Sequence, residues 1–431
     1  MSLLDFFTDP VLRAPSWGTL FMCVASSLMG VLLFLQKKTL LSEALSHATY
    51  PGVCIAVMLL GIFAPSYESM SLIAVLVGAL ISAFLALKMI HVLQKKMAVD
   101  SALCFVLALF FGIGTVAVSF MQTILPTCTK RIQMLLFGQA ATMTDIHIVL
   151  YGSLAVIVAF VLVSIFHPLR AVLFDREFSN SLGLRVNGVE RIVFWLLLLS
   201  LILGIRSVGL VLMSGMVIAP AVAARQFTNH LHKMLVLGAF FGALSGVLGN
   251  ILSVVGTIAL SSETKTLTLP TGPMIVLVGG TIAFLSLLFA PGKGWVFRKL
   301  RIGSFRLRCI EENVLKCLWK KGALSKKELK YSFGHSLLLV LHSLKKHGWI
   351  QKEDGLFHLT IDGHRKASSI VRLHRLWELY LAKMLKVHSE KIHKTAEEME
   401  HILTPDIEER LTQLLSNPAK DPHHQPIPEK V

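Results

Sequence analysis

The sequence has 431 residues, of which 54% are hydrophobic and only 16% are charged, a composition too apolar for an ordinary soluble protein of this length. The formal net charge of +16 is unevenly divided, because residues 1–292 hold 16 Lys and Arg against 10 Asp and Glu, and residues 293–431 hold 26 against 16. The second part also holds 11 of the 17 histidines. Such a basic tail suits a polyanionic partner or an anionic membrane surface.

Nine apolar stretches predict a polytopic, all-α membrane domain over residues 1–290, since a spanning helix needs about 20 apolar residues. Small residues recur at helical spacing, for example Gly238 and Gly242, and allow helices to approach closely in lipid. Two of the stretches are short and are expected to be tilted or broken. The nine stretches are 17–36, 52–64, 71–90, 101–120, 146–166, 191–212, 210–226, 234–258 and 273–290.

The distribution of Lys and Arg in the short loops predicts the orientation in the membrane. The basic loops 37–38, 88–96 and 170–191 are expected on the cytoplasmic side. With the N-terminus outside, nine crossings would place residue 292 in the cytoplasm. We therefore expect an inner-membrane, multi-pass protein with a cytoplasmic tail.

The tail begins with a basic linker, residues 291–308, whose Arg and Lys suit the lipid headgroup layer. WIQKEDGLFHLT (349–360) predicts two short strands joined by a turn at Asp354-Gly355. Three short helices followed by a hairpin are typical of a winged helix-turn-helix domain, predicted over residues 309–361. A helical domain, 362–431, follows. The predicted tail helices are 309–320, 325–332, 336–347 (the recognition helix), 363–386, 389–403 and 406–416.

In the membrane part, Glu43 and His47 are four residues apart, so a helix would place them on one face, where a carboxylate and an imidazole can share a divalent cation. Ordinary interfacial polar residues would have the same spacing. LFDREFSNSLGLRVNGVE (173–190) is the largest polar interruption, and its amphipathic pattern fits either a docked partner or a segment on the bilayer surface.

A second group of candidate ligands lies in the tail. Two of its members are four residues apart on one predicted helix, and the rest continue this spacing on the next. Imidazole and carboxylate without thiolate favour Mn²⁺ or Fe²⁺ over a structural Zn²⁺ site. A solvated helix face with opposite-charge pairs would have the same pattern. The candidates are His374, Glu378, His393, Glu397, Glu400 and His401.

The predicted recognition helix, HSLLLVLHSLKK (335–346), is unusually apolar for a helix that reads bases. Its lysines would contact phosphates, which position a protein on DNA without specifying sequence. The sequence contains no Walker-type loop, dinucleotide fingerprint or nucleophile elbow, so we predict that the chain is not an enzyme. The candidate DNA contacts are Ser336, His342, Ser343, Lys345 and Lys346.

Residues 10–290 resemble the family-3 permeases of ABC importers for manganese, zinc or iron. The resemblance is carried by four segments: LLSEALSHATYPGVCIA (40–56), LLFGQ (135–139), LFDREFSNSLGLRV (173–186) and VGLVLMSGMVIAPAVAAR (208–225). It implies an ABC ATPase subunit, an extracytoplasmic metal-binding protein and a second permease subunit, identical or paralogous, as partners. It also implies that Glu43 and His47 lie on the metal pathway. The implied ATPase-coupling residues are Phe174, Asp175, Glu177, Leu182 and Gly183.

Residues 309–428 resemble the metal-dependent repressors of the diphtheria toxin repressor and manganese transport regulator family. HRLWELYL (374–381), IHKTAEEMEH (392–401) and DPHHQPIP (421–428) carry this resemblance. It implies that the six tail candidates bind a divalent metal, Fe²⁺ or Mn²⁺ with Zn²⁺ also compatible, and that the domain dimerises and binds operator DNA. Asn313 and Lys316 lie where acidic or sulfur ligands are common, which implies a site that is incomplete or differently selective. Leu339 lies where a polar base-contacting residue is common.

The complete architecture resembles the permease–repressor fusions of chlamydiae. We therefore expect a permease subunit for divalent metal, fused to a repressor that binds operator DNA when metal is abundant. Because a tethered repressor reaches only DNA near the membrane, we also predict proteolytic release between about residues 291 and 308. The alternative is a metal-sensing cytoplasmic domain that gates the permease without binding DNA.

Overall fold

The computed structural model describes residues 4–63, 68–124, 140–205, 212–260, 268–333, 337–384 and 405–429, with residues 126, 129, 132, 135–136, 138 and 208–209. The chain divides into two compact units, Met1–Phe297 and Arg298–Val431. The first unit is helical. The second is mainly helical with one small sheet, so the predicted fold class is confirmed.

The first unit contains twelve labelled helices within its described ranges. The helices are α1 (Asp5–Thr8), α2 (Arg13–Leu35), α3 (Thr39–Phe63), α4 (Glu68–Leu93), α5 (Val99–Ile124), α6 (Asp145–Ser164), α7 (Phe166–Phe174), α8 (Arg176–Ser181), α9 (Val186–Gly204), α10 (Met213–Phe227), α11 (Leu231–Leu260) and α12 (Thr271–Phe289). Eight of these, within the same ranges, are long and apolar enough to cross a membrane: α2 to α6, α9, α11 and α12.

Two of the predicted stretches differ from these helices. The short stretch 52–64 is the second half of α3, which has 25 residues. That prediction was too short because Ser42, Glu43 and Ser46 interrupt the apolar pattern of the first half. The stretch 210–226 corresponds to α10, whose 15 residues extend only about 22 Å at 1.5 Å per residue. This length is less than the hydrocarbon thickness of about 30 Å.

Helix α2 lies at the centre of the first unit, in contact with α6, α9, α10 and α11. Its approach to α11 depends on the predicted small residues. A Cβ atom on Gly242 would lie 2.6 Å from the Cys23 carbonyl oxygen and 2.5 Å from Ser27 Oγ, closer than real Cβ atoms lie. The predicted role of this glycine in close helix contact is therefore confirmed. A second group of buried residues joins α3, α4 and α5.

The remaining helices are α13 (Trp295–Lys321), α14 (Lys326–Phe333), α15 (Leu337–Lys346), α16 (Ile361–Lys383) and α17 (Pro405–Leu414). Strands β1 (Leu324–Ser325), β2 (Ile350–Glu353) and β3 (Leu356–Leu359) form an antiparallel sheet in the order β1-β3-β2. Asp354 and Gly355, both with positive φ, join β2 to β3, as type I′ hairpins require. The predicted hairpin is confirmed, while β1 was missed because two residues carry no periodic signal.

Apolar residues of α13, α14, α15, β2, β3 and α16 form one core, which includes Leu315, Leu329, Leu341, Ile350 and Phe357. This is the winged helix-turn-helix arrangement that the order of elements predicts. The first helix starts earlier than expected, at Trp295. The predicted linker 291–308 is therefore helical over most of its length, because Arg, Lys and Leu are good helix formers.

Candidate metal centre and neighbouring functional surfaces

His374 and Glu378 lie one turn apart on α16, and both side chains belong to the interior of the second unit. They are 3% and 2% exposed, and His374 Nε2 lies 3.1 Å from Glu378 Oε1. Carboxylates are almost never buried to this extent unless they are paired. For this pair the interpretation as a solvated helix face is therefore wrong, and the spacing brings together two potential metal ligands.

Lys316 of α13 completes this buried group. It is 6% exposed, and its Nζ lies 3.2 Å from His374 Nδ1. An ammonium group has only hydrogens to donate, so Nδ1 accepts from Lys316. The ring proton is then on Nε2, which donates to Glu378. The result is a line of a positive, a neutral and a negative group, with both imidazole nitrogens engaged.

The other four tail candidates, His393, Glu397, Glu400 and His401, lie outside the described residues and remain predictions. Across the described ranges, no three His, Cys, Asp or Glu side chains gather closely enough to hold one metal ion. The buried imidazole and carboxylate suit a divalent first-row ion. In chemical terms they fit part of such a site, which His374 and Glu378 would share with the four predicted ligands.

Asn313 adds a further oxygen on α13, one turn before Lys316 and on the same helix face. Its Oδ1 atom is buried and has no hydrogen-bond partner among the described residues. Leaving a buried polar atom unpaired costs about 1–3 kcal/mol. The position that carries an acidic or sulfur ligand in the resembled family thus holds a neutral oxygen here, and its neighbour Lys316 holds a cation.

Two arginines on α16, half-buried Arg372 and buried Arg375, hold the C-terminal turn against that helix. Arg372 donates to Glu408 Oε1 at 3.0 Å and to the Pro428 carbonyl at 2.7 Å. Arg375 donates to the Pro426 carbonyl and lies 3.6 Å from Asp421 Oδ2. The Pro-rich end is therefore an ordered turn. The sequence analysis did not predict these contacts. The sequence does contain two arginines that flank His374 and a later Asp-Pro-His-His motif at 421–424.

The proposed recognition helix α15 buries Leu337, Val340, Leu341 and Leu344 in the core. Its opposite face exposes His342, Lys345 and Lys346, while Ser343 is half-buried. Ser336 lies outside the described residues. The exposed lysines are placed where phosphates could be contacted. The same face also exposes Leu338 and Leu339, 60% and 67%.

The helix that precedes α15 starts with a capping box. The Ser325 backbone N–H and hydroxyl donate to Glu328 Oε2 at 2.8 and 2.7 Å, and the Glu328 N–H donates back to Ser325 Oγ at 3.3 Å. Hydrogen bonds from the Ser325 side chain and backbone lower the pKa of the Glu328 carboxyl group. This reciprocal pair fixes the start of α14.

In the first unit, Glu43 and His47 lie one turn apart on α3, both partly buried. The His47 ring meets the edge of Phe111 with centroids 5.0 Å apart. His47 Nδ1 is buried and has no hydrogen-bond partner within the described part of the chain. A buried nitrogen without a proton partner suits a transient ligand for a passing cation better than a structural hydrogen bond.

The segment predicted to couple to an ATPase, 173–186, contains the end of α7, all of α8 and the residues that lead to the start of α9. Asp175 Oδ1 caps α8 by accepting from the Glu177 and Phe178 backbone N–H groups at 2.9 and 3.0 Å. Phe174 is 91% exposed and Leu182 is 59% exposed. Gly183 ends the helix with φ of +76°, a conformation that favours glycine. Large apolar side chains exposed at neighbouring positions are typical of a contact surface for a protein or a membrane.

Arg176 ties this surface to α9, because its Nε lies 3.0 Å from Glu190 Oε1. The five predicted coupling residues therefore lie on one short, anchored helical segment.

Each of the two parts of the chain matches a known protein family. Residues 8–290 match the model of the ABC 3 transport family. Residues 360–429 match the model described as the iron dependent repressor, metal binding and dimerisation domain. The second match includes α16, α17 and the C-terminal turn, and therefore His374, Glu378 and both arginines.

Relatives align with most or nearly all of this chain. A "probable metal transport system membrane protein" of Chlamydia trachomatis is 35% identical over 99% of this chain and 98% of its own length. The "manganese transport system membrane protein MntC" of Bacillus subtilis is 28% identical, covering 84% of this chain and 82% of its own. The structure of PsaBC from Streptococcus pneumoniae, in complex with Fab, has a TM-score of 0.56 and 22% identity, covering 69% of this chain and 98% of that one.

Proposed function

The chain belongs to the ABC 3 transport family, and from this premise we propose that it is an importer permease for a divalent first-row metal whose C-terminal domain represses transcription when that metal is abundant. The permease and the repressor-type metal-binding domain lie on one chain. This continuity, which the relative from C. trachomatis spans almost end to end, is the observation that carries the proposal.

Transport is assigned to the first unit. Eight apolar helices in its described ranges are long enough to cross a membrane, as a multi-pass membrane unit requires. Permeases of this family work with an ATPase and a substrate-binding protein, and we propose Phe174 and Leu182 as contacts of that ATPase. Glu43 and His47 would offer oxygen and nitrogen ligands to the passing ion. Manganese is supported as a substrate by the name of the B. subtilis relative and by the absence of thiolate from this pair.

The transport assignment is tested by uptake of radioactive Mn²⁺ into proteoliposomes that contain the chain, its ATPase and its binding protein. We expect His47→Ala to lower uptake at least about tenfold, the scale of one lost charge-assisted contact. His91→Ala on α4, an exposed histidine, is the matched control and should retain wild-type uptake. Equal uptake by both variants would remove His47 from the pathway.

Repression is assigned to the second unit. Metal bound by His374, Glu378 and the four predicted ligands would favour the dimer that places two copies of α15 on DNA, and by linkage DNA would tighten metal binding by the same factor. Lys345 and Lys346 would neutralise phosphates, so their loss should lower the salt dependence of binding by about two phosphate contacts.

The repressor assignment is tested with the full chain in nanodiscs and DNA from the promoter of its own operon, with unrelated DNA as competitor. We expect binding with Mn²⁺ or Fe²⁺ and much weaker binding with EDTA. A Lys345→Gln, Lys346→Gln double variant should bind all DNA more weakly, whereas Lys320→Gln, exposed on α13, should not. Equal binding with metal and with EDTA would remove the sensing mechanism.

A second candidate function is favoured by Leu338 and Leu339, which are exposed on the face of α15 that would meet DNA. Apolar side chains there suit a protein surface, so the domain would sense metal and gate the permease without touching DNA. The Lys345→Gln, Lys346→Gln variant separates the two functions. Unchanged uptake with lost repression supports the repressor, and changed uptake without any DNA binding supports gating.

We also propose that the second unit is cytoplasmic, which with the eight spanning helices of the described residues, instead of the nine expected, requires the N-terminus on that side as well. Release of the second unit by cleavage within 291–308 completes the proposal. Because α13 is helical from Trp295, the turn Pro291–Gly294 is the part of that range where a protease would meet non-helical backbone. An antibody against the C-terminus should detect a fragment of about 15 kDa, given 47.5 kDa for 431 residues. Full-length signal alone in producing cells would count against release.

A further inference from the structure

Lys316 places an ammonium group against one of the two buried candidate ligands of the metal centre. Its Nζ lies 3.2 Å from His374 Nδ1, and the other ring nitrogen lies 3.1 Å from Glu378 Oε1. We propose that the Lys316 ammonium is a built-in competitor for metal at the His374–Glu378 pair, so that a divalent ion takes this pair only by displacing a cation that the chain itself provides.

The argument starts from the lone pairs of the imidazole. A histidine binds metal through a nitrogen that carries no proton. In the observed arrangement the Nδ1 lone pair accepts from Lys316, and Nε2 holds the ring proton that it donates to Glu378. Ligation through Nδ1 requires Lys316 to leave. Ligation through Nε2 requires the proton to move to Nδ1, where it would face the ammonium hydrogens.

Charge acts in the same direction. The ammonium offsets part of the negative charge of Glu378 across the intervening imidazole ring, which lowers the attraction of the His374–Glu378 pair for a second cation. A divalent ion bound to His374 would also lie within a few ångströms of the ammonium, in surroundings where water screens poorly because all three side chains are buried. Lys316 is therefore a residue that sets metal affinity, and it acts through His374 and Glu378.

Removing the ammonium should accordingly strengthen metal binding. A hydrogen bond to a charged group contributes about 1.5–3 kcal/mol, which corresponds to a change of about tenfold to hundredfold in the dissociation constant. The inference rests on the proposed metal sensing by the second unit. It differs in predicting that a loss of positive charge at one buried position increases the amount of metal held.

The experiment uses the full chain in nanodiscs, titrated with Mn²⁺ by calorimetry, with elemental analysis after desalting. The test variants are Lys316→Gln and Lys316→Met, the second of which retains the buried apolar stem. Lys316→Arg keeps the charge, and Lys320→Gln removes an exposed charge from the same helix. The double variant Lys316→Gln, His374→Ala shows whether any gain occurs at this centre, apart from Mn²⁺ bound in the permease.

We expect Lys316→Gln or Lys316→Met to bind Mn²⁺ at least about tenfold more tightly at one site, or to retain one more ion per chain, than wild type. Lys316→Arg, Lys320→Gln and the double variant should show no gain. If both test variants equal wild type while the double variant binds less, the competitor is excluded and metal sensing stands. If wild type, both test variants and the double variant are all equal, His374 holds no metal and both proposals fail.

Discussion

The C-terminal turn offers the sharpest test of how the second unit is held together, through the substitution Asp421→Asn. Asp421 Oδ1 accepts from the His423 and Gln425 backbone N–H groups at 2.8 Å each. Oδ2 lies 3.6 Å from Arg375 Nε, and the two side chains are 4% and 10% exposed. Asparagine keeps the shape and one accepting oxygen, so the variant removes mainly the charge.

Breaking a buried ion pair by removing one partner costs about 3–5 kcal/mol. Arg375 keeps its bond to the Pro426 carbonyl and lies 5.6 Å from the centre of the Trp319 ring, so the lower end of that range applies. A loss of about 3 kcal/mol in the opening free energy corresponds to a roughly 150-fold larger equilibrium constant for opening, since each 1.4 kcal/mol is a factor of ten.

Hydrogen exchange of the full chain measures this opening. The amides of Asp421 and Ile427, which donate to the Gln425 and Ala419 carbonyls at 3.0 and 2.9 Å, should exchange about 150-fold faster in Asp421→Asn. Glu409→Gln, an exposed charge on α17, should leave them unchanged. Exchange within about threefold of wild type in Asp421→Asn would refute the reasoning. The turn would then depend on Arg372 and on buried Ile427 instead.

Three further outcomes follow from the geometry. Gly242→Leu should lower the unfolding temperature of the first unit in detergent, because its side chain would overlap the Cys23 carbonyl, and overpacking costs about 1–3 kcal/mol or more. Phe174→Ser should weaken co-purification of the ATPase subunit without changing the unfolding temperature, since Phe174 is almost fully exposed. Hydrogen bonds lower the pKa of Glu328 in the folded state. The ionised carboxylate therefore stabilises the fold above the pKa of the unfolded state, and this stabilisation is lost as the pH falls through the pKa of the folded state. Glu328→Gln should unfold without this loss of stability in acid.

Each of these outcomes has a control of matched chemistry. Gly112→Leu places the same side chain where a Cβ meets no atom within 4 Å, so a similar loss there would exclude helix contact as the cause. Ile146→Ser removes another exposed apolar side chain and should leave the ATPase bound. For Glu328, wild type and Glu328→Gln unfolding with the same dependence on acid would show that the capping box is not the titrating contact.

Much of the fold could be predicted because it depends on local pattern. Long apolar runs gave the membrane helices, and Asp354-Gly355 gave the hairpin. The errors occurred where local pattern and tertiary structure differ. Helix α3 starts at Thr39 with Ser42 and Ser46 buried inside the first unit, whereas a hydropathy pattern treats those serines as an end. Basic residues before 309 resembled a linker because charge, without packing, does not distinguish a helix from a loop.

Only the part of the candidate metal centre that lies on one helix, α16, could be predicted from the sequence. The spacing of His374 and Glu378 places them on one face, and burial then follows from their position between apolar residues of α16. Lys316 lies 58 residues before His374, and no periodicity joins them. The same holds for Arg375 with Asp421, which meet only because the C-terminal turn folds back on α16. Contacts between elements distant in sequence depend on packing, and no helical spacing encodes them.

A competing ammonium changes what a sensor on an importer detects. When only a fraction of a protein is competent to bind, its apparent dissociation constant is the intrinsic one divided by that fraction. If the population in which Lys316 contacts His374 exceeds the population in which His374 is open to metal by about a hundredfold, the metal concentration needed for repression rises by about the same factor. The permease on the same chain would then continue to import at metal concentrations that leave the sensor empty. Repression would begin only after import has supplied the cell, and Lys316→Gln should shift the onset of repression to lower metal without altering uptake by a single transporter.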